Sequence, residues 1–126
     1  MACRVSQFVL KCRDLEALAR FWCEALDFIE LDREEDVYLE IGPREGFGGP
    51  QPTIFLIRND EPKNEHARLH IDVNPTDRDQ DAELKRLLAA GARLVDIGQP
   101  AEASWHVLTD PEGNEFCLLN TRLAPL

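Results

Sequence analysis

The sequence lacks the features that mark several large classes of protein. No apolar run approaches the ~18 residues that a membrane-spanning helix needs, and the amino terminus has no apolar stretch of the kind found in secretory signals. The 4 cysteines form no CxxC pair, so neither a zinc knuckle nor a disulfide framework is indicated. We therefore expect a reduced, cytoplasmic protein with no membrane partner.

The chain is also short of basic charge. Its 14 lysines and arginines are outnumbered by 24 aspartates and glutamates, which gives a formal net charge of −10 and a pI near 4.7. Such a surface repels phosphate backbones, so nucleic acid is not expected as a partner. The glycine-rich segment 42–52 does not end in the Lys-Ser/Thr of a phosphate-binding loop, and we interpret it as a flexible connection or a lid over a pocket.

What the sequence does contain is one plan of elements written twice. A strand, a helix and further strands run from residue 4 to residue 58, and the same order returns from residue 68 to residue 120. The equivalent helix ends at Ala25 and Ala89 lie 64 positions apart. A repeat of this size predicts that two halves build one structure together. We expect an α+β fold in which residues 1–126 form a single domain of two βαβββ modules, joined into an eight-stranded open cup.

Local signals place one helix in each module. Asp14 is predicted to cap the first helix, and Asp27 to end it in the left-handed conformation that aspartate tolerates. In the second module Asp77 and Gln80 have the spacing of a capping box, and Gly91 provides the end. The second helix is predicted to bury three leucines, Leu84, Leu87 and Leu88.

Strand patterns and one turn complete the prediction. Strands are expected at 4–12, 28–32, 37–41, 53–58, 68–73, 93–96, 105–109 and 115–120. Asp110, Pro111 and Gly113 occupy the first, second and fourth positions preferred in a type I turn. This turn is predicted to fix the register of the last strand, so that Glu115 and Cys117 point to one face.

Overlaying the two modules brings four positions into correspondence. Gln7 pairs with His70 on the first strands, and Leu56 pairs with Cys117 on the last strands. If each half curls its sheet into half a cup, these four side chains are predicted to line the concave face.

Three stretches of the sequence resemble a known family. They are ARFW at 19–22, LHID at 69–72 and WHVLTDPEGNEFC at 105–117. Together with the βαβββ repeat they are similar to the vicinal oxygen chelate superfamily, which includes glyoxalase I, bleomycin resistance proteins and extradiol dioxygenases. The closest resemblance is to the small glyoxalase-like proteins of this superfamily.

The resemblance implies a site at the four cup positions. Metal-dependent members place His, Glu or Gln there and use a divalent metal to bind vicinal oxygens and stabilise an enediolate-like charge. This sequence offers Gln7, Leu56, His70 and Cys117. Leucine cannot be a ligand and a thiolate suits zinc better than magnesium or manganese, so no metal ligand set and no cofactor are predicted. Glu115 lies on the same strand face as Cys117 and is expected to reach the rim.

The function implied by the resemblance is binding of a small organic molecule in the cup, by a protein paired as a homodimer. The expected ligand-binding residues are Gln7, Leu56, His70, Trp105 and Cys117. The expected acid and base groups are His70 and Glu115. Two alternatives remain open: a metal-dependent lyase or isomerase of the glyoxalase I type that uses a divalent metal, and an acidic resistance protein that sequesters a cationic antibiotic.

Three of these residues also have a structural interpretation. His70 could be a hydrogen-bonded interior histidine, and Cys117 a small buried group. A reactive Cys117 thiolate would need a nearby positive charge that the sequence does not reveal. Trp105 could stack on a bound ring or only fill space in the sheet.

Overall fold

The fold repeats one βαβββ unit. A computed structural model describes residue 2, residues 4–61 and residues 70–125. The chain divides into two compact units, Met1–Pro62 and Lys63–Leu126. In the described residues each unit contains one helix and a four-stranded sheet, so the predicted α+β class with two βαβββ modules is confirmed. No helix in these residues has the length and hydropathy to cross a membrane.

The first unit builds a mixed sheet around one helix. Its elements are β1 (Gln7–Cys12), α1 (Leu15–Leu26), β2 (Ile29–Glu34), β3 (Tyr38–Gly42) and β4 (Thr53–Arg58). The strand order is β1-β4-β3-β2, with β1 parallel to β4 and the other neighbours antiparallel. Parallel strands need a long connection between them, and the chain from β1 to β4 provides it with α1, β2 and β3.

Helix α1 has the predicted ends. The carboxylate of Asp14 accepts a hydrogen bond of 3.0 Å from the Ala17 N–H, and Asp27 follows the last turn with φ of 56°. The helix buries Phe21 and Trp22, whose rings meet edge to face with centroids 5.2 Å apart. Full burial of a large apolar side chain stabilises the fold by about 1.5–3 kcal/mol, and Trp22, at 1% exposed, is such a core residue.

The two faces of the first sheet differ in chemistry. One face carries apolar side chains of β3 and β4 that are at most 3% exposed, and α1 contacts both of these strands. These side chains are Leu39, Ile41, Ile54 and Leu56. The opposite face, which we call the polar face of sheet 1, carries Gln7, Tyr38, Glu40, Thr53 and Phe55. Alternation along the strands produces this separation.

The second unit repeats the arrangement with shorter strands. Its elements are β5 (Ile71–Val73), α2 (Gln80–Ala90), β6 (Arg93–Leu94), β7 (His106–Thr109) and β8 (Glu115–Leu118). The strand order is β5-β8-β7-β6, and β5 runs parallel to β8. Residues 68 and 69 of the predicted first strand lie outside the described residues.

Helix α2 is capped by Asp79, so the prediction of Asp77 as its cap is wrong. The Asp79 carboxylate accepts a hydrogen bond of 2.8 Å from the N–H three residues further on. Asp77 pairs with the neighbouring Arg78 guanidinium instead. Gln80 does not close a capping box, because its amide donates to the Leu118 carbonyl at 3.1 Å and so ties the start of α2 to the end of β8.

The buried side of α2 is also narrower than predicted. Leu87 is 1% exposed and Leu84 is half-buried, but Leu88 is 36% exposed, so its predicted burial is wrong. Glu83, by contrast, is buried and forms an ion pair with Arg86. Burial of a carboxylate is tolerated because the guanidinium pairs with it.

The predicted turn between β7 and β8 is present. The Gly113 N–H donates to the Asp110 carbonyl at 2.9 Å. The Asp110 side chain is buried and accepts hydrogen bonds from the N–H groups of Glu112 and Asn114, at 3.0 and 2.9 Å. This turn sets Thr109 opposite Glu115 and thereby fixes the register of β8.

Candidate functional site

The register of the second sheet places polar side chains in one row. Asp72 of β5 lies beside Cys117 of β8, and Cys117 lies beside Val107 of β7. Because neighbouring residues on paired strands point the same way, these three side chains share a face, which we call the β5–β8 face. Residues two positions away along each strand belong to the same face.

A cluster of three chemically active groups lies on this face. His70 Nε2 is 3.3 Å from Asp72 Oδ1, and these groups and Cys117 Sγ offer atoms that all lie within 4.8 Å of one another. The His70 and Asp72 side chains are 54% and 49% exposed, whereas Cys117 is 9% exposed. The structure therefore brings together His70 and Cys117, two of the residues singled out in the sequence. Asp72 was missed, although its position two residues after His70 on a strand would have indicated it.

The Cys117 thiol is held in its protonated form. Burial raises its pKa, and the Asp72 charge, a hydrogen bond with Asp72 and the Glu115 charge raise it further. A thiol with a raised pKa is a weak hydrogen-bond donor and a poor nucleophile at neutral pH. A reactive thiolate would require a positive charge nearby, whereas the charges that act on Cys117 are the carboxylates of Asp72 and Glu115.

Glu115 and Trp105 flank the cluster at opposite ends. Ile71 pairs with Phe116, so His70, one residue earlier, is a neighbour of Glu115 at the start of β8. Trp105 immediately precedes β7, two positions from Val107, and is 36% exposed. By strand alternation both side chains belong to the β5–β8 face. Their roles as acid or base and as ligand-binding residue stay predictions.

The polar face of sheet 1 has its own hydrogen-bonded group. Gln7 Nε2 donates to Glu40 Oε2 at 2.7 Å and to Thr53 Oγ1 at 3.2 Å, and the Thr53 hydroxyl donates to the same Glu40 oxygen at 2.9 Å. Thr53 is fully buried, and Gln7 and Glu40 are half-buried. Gln7 thus lies on the polar face of sheet 1, and its amide fixes the Glu40 carboxylate. Its place in a cup shared with His70 and Cys117 stays a prediction.

The predicted placement of Leu56 on this face is wrong. Leu56 is 0% exposed and pairs with Leu10 and Leu39 on the face that carries the apolar core. Phe55 occupies the position on the polar face, because β1 and β4 pair Gln7 with Thr53 and therefore put Phe55 two residues further along the same face. The correspondence with Cys117 is thus offset by one residue from the overlay, and a shift of one residue reverses the face.

Phe55 belongs to an aromatic pair on the polar face of sheet 1. Its ring stacks on Tyr38, with centroids 4.7 Å apart and an interplanar angle of 25°. Phe55 is also the direct cross-strand partner of Glu40. The Tyr38 hydroxyl donates to Asp32 at 2.9 Å, which fixes the outer end of the stack.

A cavity of about 300 Å³ lies at the start of α1 and the β2–β3 turn, apart from the Gln7 group. Its wall is strongly charged, and its central cation, Arg33, is engaged by three carboxylates: Glu16, Glu30 and Glu35. Saturation of Arg33 by these partners leaves it no hydrogen-bonding capacity for an anionic ligand. We assign no function to this cavity.

One of the described groups has donor atoms suited to a metal ion. The His70–Asp72–Cys117 cluster combines imidazole, carboxylate and thiol, a set that zinc accepts in tetrahedral sites with a fourth, open position. The 3.3 Å between His70 and Asp72 fits two ligands of one ion. Binding would have to displace the proton that burial and Asp72 hold on Cys117.

Comparisons with known proteins agree with this fold. The model of the glyoxalase-like domain matches residues 7–119, whereas no curated protein sequence matches the chain. The fosfomycin resistance protein FosX from Listeria monocytogenes aligns with a TM-score of 0.72 at 17% identity, covering 98% of this chain and 94% of that chain. Another crystal structure of that protein, an engineered mutant, is a complex with Mn(II) and 1S,2S-dihydroxypropylphosphonic acid.

Two further solved structures have the same fold. FosX from Mesorhizobium loti aligns with a TM-score of 0.69 at 20% identity, covering 96% of this chain and 95% of that chain. A glyoxalase/bleomycin resistance protein/dioxygenase family enzyme from Burkholderia phytofirmans PsJN aligns with a TM-score of 0.66 at 18% identity, covering 90% and 94%. At these identities the likeness concerns the fold alone. The family match spans nearly the whole sequence, and on that ground the chain belongs to the glyoxalase-like family of the vicinal oxygen chelate superfamily.

Proposed function

We propose that this protein binds a small organic molecule on the β5–β8 face of its second unit, with His70 as the principal hydrogen-bonding and acid–base group. The observation that carries the proposal is the convergence of His70, Asp72 and Cys117 within 4.8 Å on one half-exposed surface. Ligand sites in proteins combine a few convergent polar groups with apolar walls. Val107 and Trp105 supply the apolar part here.

The contact between His70 and Asp72 supports an acid–base role. When Nε2 carries the proton and donates to the Asp72 carboxylate, Nδ1 has a free lone pair that can accept a proton from a ligand. Asp72 in this proposal is a positioning residue, and Glu115, the neighbour of His70, is a second group able to exchange a proton.

Charge narrows the class of ligand. Asp72 and Glu115 both lie on the β5–β8 face, and an anion approaching them would be repelled. A neutral molecule with adjacent oxygens would pair with His70, and only a ligand long enough to run along β8 would also reach Trp105 at the far end of the face. The phosphonate present in the FosX complex is anionic, so we do not expect it to be the preferred ligand of this chain.

The test uses catechol as a neutral probe with two adjacent oxygens and an aromatic ring. Titration followed by NMR is expected to move the His70 ring signals, and His70→Ala is expected to weaken binding by about tenfold or more. His106→Ala is the matched control, because His106 pairs with Leu118 and lies on the opposite face. Equal affinities of the two variants, or weaker binding of catechol than of fosfomycin, would contradict the proposal.

A metal-dependent lyase or isomerase is a second candidate, favoured by the three donor atoms of the cluster. A divalent ion held by His70, Asp72 and Cys117 would act as a Lewis acid toward a substrate oxygen. The test is the metal content of protein purified without chelator, together with calorimetry of zinc and manganese. We expect Cys117→Ala to abolish zinc binding and His106→Ala to preserve it. Unchanged zinc affinity in Cys117→Ala would remove this candidate.

The homodimer implied by the family is also part of the proposal. Light scattering coupled to gel filtration is expected to give twice the chain mass of 14.3 kDa. A mass equal to one chain at micromolar concentration would contradict it.

A further inference from the structure

We infer that residues 119–123 form a strap that holds β5 against β8, and that opening of this strap takes the His70–Asp72–Cys117 cluster apart. With the strap closed, Asp72 lies beside Cys117. With the strap open, β5 separates from β8 and the polar groups of the cluster no longer face one ligand. The inference concerns regulation of the site on the β5–β8 face and rests on the proposed function for its ligand, whereas the coupling of the strap to the cluster needs no ligand.

Two backbone hydrogen bonds join the strap to the chain that leaves β5. The Leu119 N–H donates to the Val73 carbonyl, and the Leu123 N–H donates to the Pro75 carbonyl, both at 2.9 Å. Val73 is also the last residue of β5 in its parallel pairing with β8. The strap therefore begins by continuing the β5–β8 ladder immediately next to the cluster.

Side chains add three hydrogen bonds to the same contact. The Asn74 side-chain amide donates to the Thr121 carbonyl at 2.9 Å. The Arg122 guanidinium donates twice to the Thr76 carbonyl, at 3.1 Å from Nε and at 3.0 Å from Nη2. Each of residues 73–76 is thus tied to the strap by a carbonyl or by a side chain.

The strap is held by hydrogen bonds rather than by burial. Leu119 is half-buried, but residues 120–125 are exposed, and the Leu123 side chain is 53% exposed. Hydrogen bonds at an exposed surface contribute little net stability, because water offers the same bonds to the separated groups. Segments held in this way open at a free energy well below that of global unfolding. We therefore expect the strap to open while the rest of the unit stays folded.

Of the two paired strands, β5 is the one that is weakly held. Three of the four residues of β8 are buried, whereas none of the three residues of β5 is buried. Among the described strands β5 pairs with β8 alone, and within residues 71–78 only Pro75 is buried. The start of α2 is fixed independently of the strap, since the Gln80 amide donates to the Ser104 and Leu118 carbonyls. Opening is thus limited to β5 and its connection to α2.

Separation of β5 from β8 uncovers the Cys117 thiol. Cys117 is 9% exposed, and its neighbours on the adjacent strands are Asp72 of β5 and Val107 of β7. When β5 leaves, the thiol loses its neighbour on one side and becomes accessible to reagents in solution. The reactivity of this thiol therefore reports whether the cluster is assembled.

The experiment follows the strap and the thiol separately in the full chain, with no ligand added. Amide hydrogen exchange at Leu119 and Leu123 measures opening of the strap, and the rate of Cys117 alkylation by iodoacetamide measures separation of β5. Arg122→Ala removes two of the side-chain hydrogen bonds and is expected to raise all three rates about fivefold. Asn74→Ala weakens the contact from the side of β5 and is expected to raise the same rates.

Two controls separate the strap from net charge and from global unfolding. Lys85→Ala removes the same charge from an exposed position on α2 and is expected to leave the three rates unchanged. The Ala92 amide is hydrogen-bonded at the end of α2, so its exchange measures global opening and is expected to be unchanged in Arg122→Ala.

Three results would overturn the inference. The first is faster exchange of the Leu123 amide with unchanged Cys117 alkylation, since the strap would then not act on the cluster. The second is no change in any rate in Arg122→Ala, and the third is an equal rise at Ala92, which would mean global destabilisation. Because no ligand is present, these results are independent of catechol binding, and a failure of the proposed function is recognised separately by the catechol titration.

Discussion

The Asp72 carboxylate is expected to keep the Cys117 thiol protonated, so Asp72→Asn should make the thiol more reactive. Burial is the largest cause of the raised pKa of Cys117, and the Asp72 charge is the next. Their charged atoms lie within 4.8 Å, and two unit charges at about that separation interact by about 1 kcal/mol at the dielectric constant of water. A water-like value is appropriate because the Asp72 side chain is 49% exposed. We therefore expect roughly fivefold more thiolate in Asp72→Asn below the thiol pKa.

The assay is the rate of alkylation of Cys117 by iodoacetamide near pH 8. Digestion with trypsin releases Cys117 in the peptide Leu94–Arg122, which contains no other cysteine, so mass spectrometry reports this thiol alone. We expect roughly fivefold faster modification in Asp72→Asn than in the unmodified sequence. Glu102→Gln controls for the change in net charge and is expected to leave the rate unchanged.

An unchanged or slower rate in Asp72→Asn would refute the reasoning, because the cluster would then not couple the carboxylate to the thiol. A faster rate in both Asp72→Asn and Glu102→Gln would also refute it, since the effect would come from net charge. The amide hydrogen exchange of β8 distinguishes electrostatics from local opening. Exchange should be unchanged if only the charge has been removed.

Four further predictions concern stability, each checked by urea denaturation. Burial, followed by the Glu30 charge, raises the pKa of Cys23 to about 11. Because the folded state holds this proton more tightly than the unfolded state, the free energy of unfolding should fall from pH 9 to pH 11. The fall should be smaller in Cys23→Ser. Asp79→Ala should cost about 1 kcal/mol through loss of the α2 cap, whereas Asp77→Ala should have no measurable effect. Gly42→Ala should cost about 1–3 kcal/mol, because the new methyl would lie 2.7 Å from a threonine methyl on β4. Asp110→Ala should cost about 3 kcal/mol by leaving the turn N–H groups of Glu112 and Asn114 without their acceptor; equal stability of this variant and the unmodified sequence would contradict the turn's role.

Features that depend on nearby residues were predictable from the sequence. Asp14 and Asp27 bound α1 as expected, since caps are decided by the residues adjacent to a helix. The Asp110 turn was likewise readable, because its residue types match the turn positions. Alternation along β5 and β8 correctly placed His70 and Cys117 near each other.

Features that depend on pairing between distant strands were not predictable to the residue. The connection from β3 to β4 covers residues 43–52, whereas that from β7 to β8 covers only 110–114, so a constant spacing between the modules fails. Because of this difference, the overlay of the two modules assigned Leu56 to the position that Phe55 occupies in the observed register. The Gln7–Glu40–Thr53 group was missed for the same reason, since it joins three strands.

The capping error on α2 has a different cause. Two aspartates two residues apart both match the pattern of a cap, and only the position at which the helix begins selects Asp79. The burial of Glu83 and the exposure of Leu88 could not be predicted either, because composition alone does not reveal which side of an amphipathic helix meets the core.

The parallel pairing of the first and last strands of each unit has a consequence for biosynthesis. Gln7 of β1 contacts Thr53 of β4 across 46 positions, and β5 pairs with β8 over a similar span. A nascent chain that has left the ribosome only as far as β3 lacks the strand that joins β1 to the rest of its sheet. The first unit can therefore complete its sheet only after Arg58 has emerged, and the long loop that must close predicts slower folding than in a helical bundle of equal size.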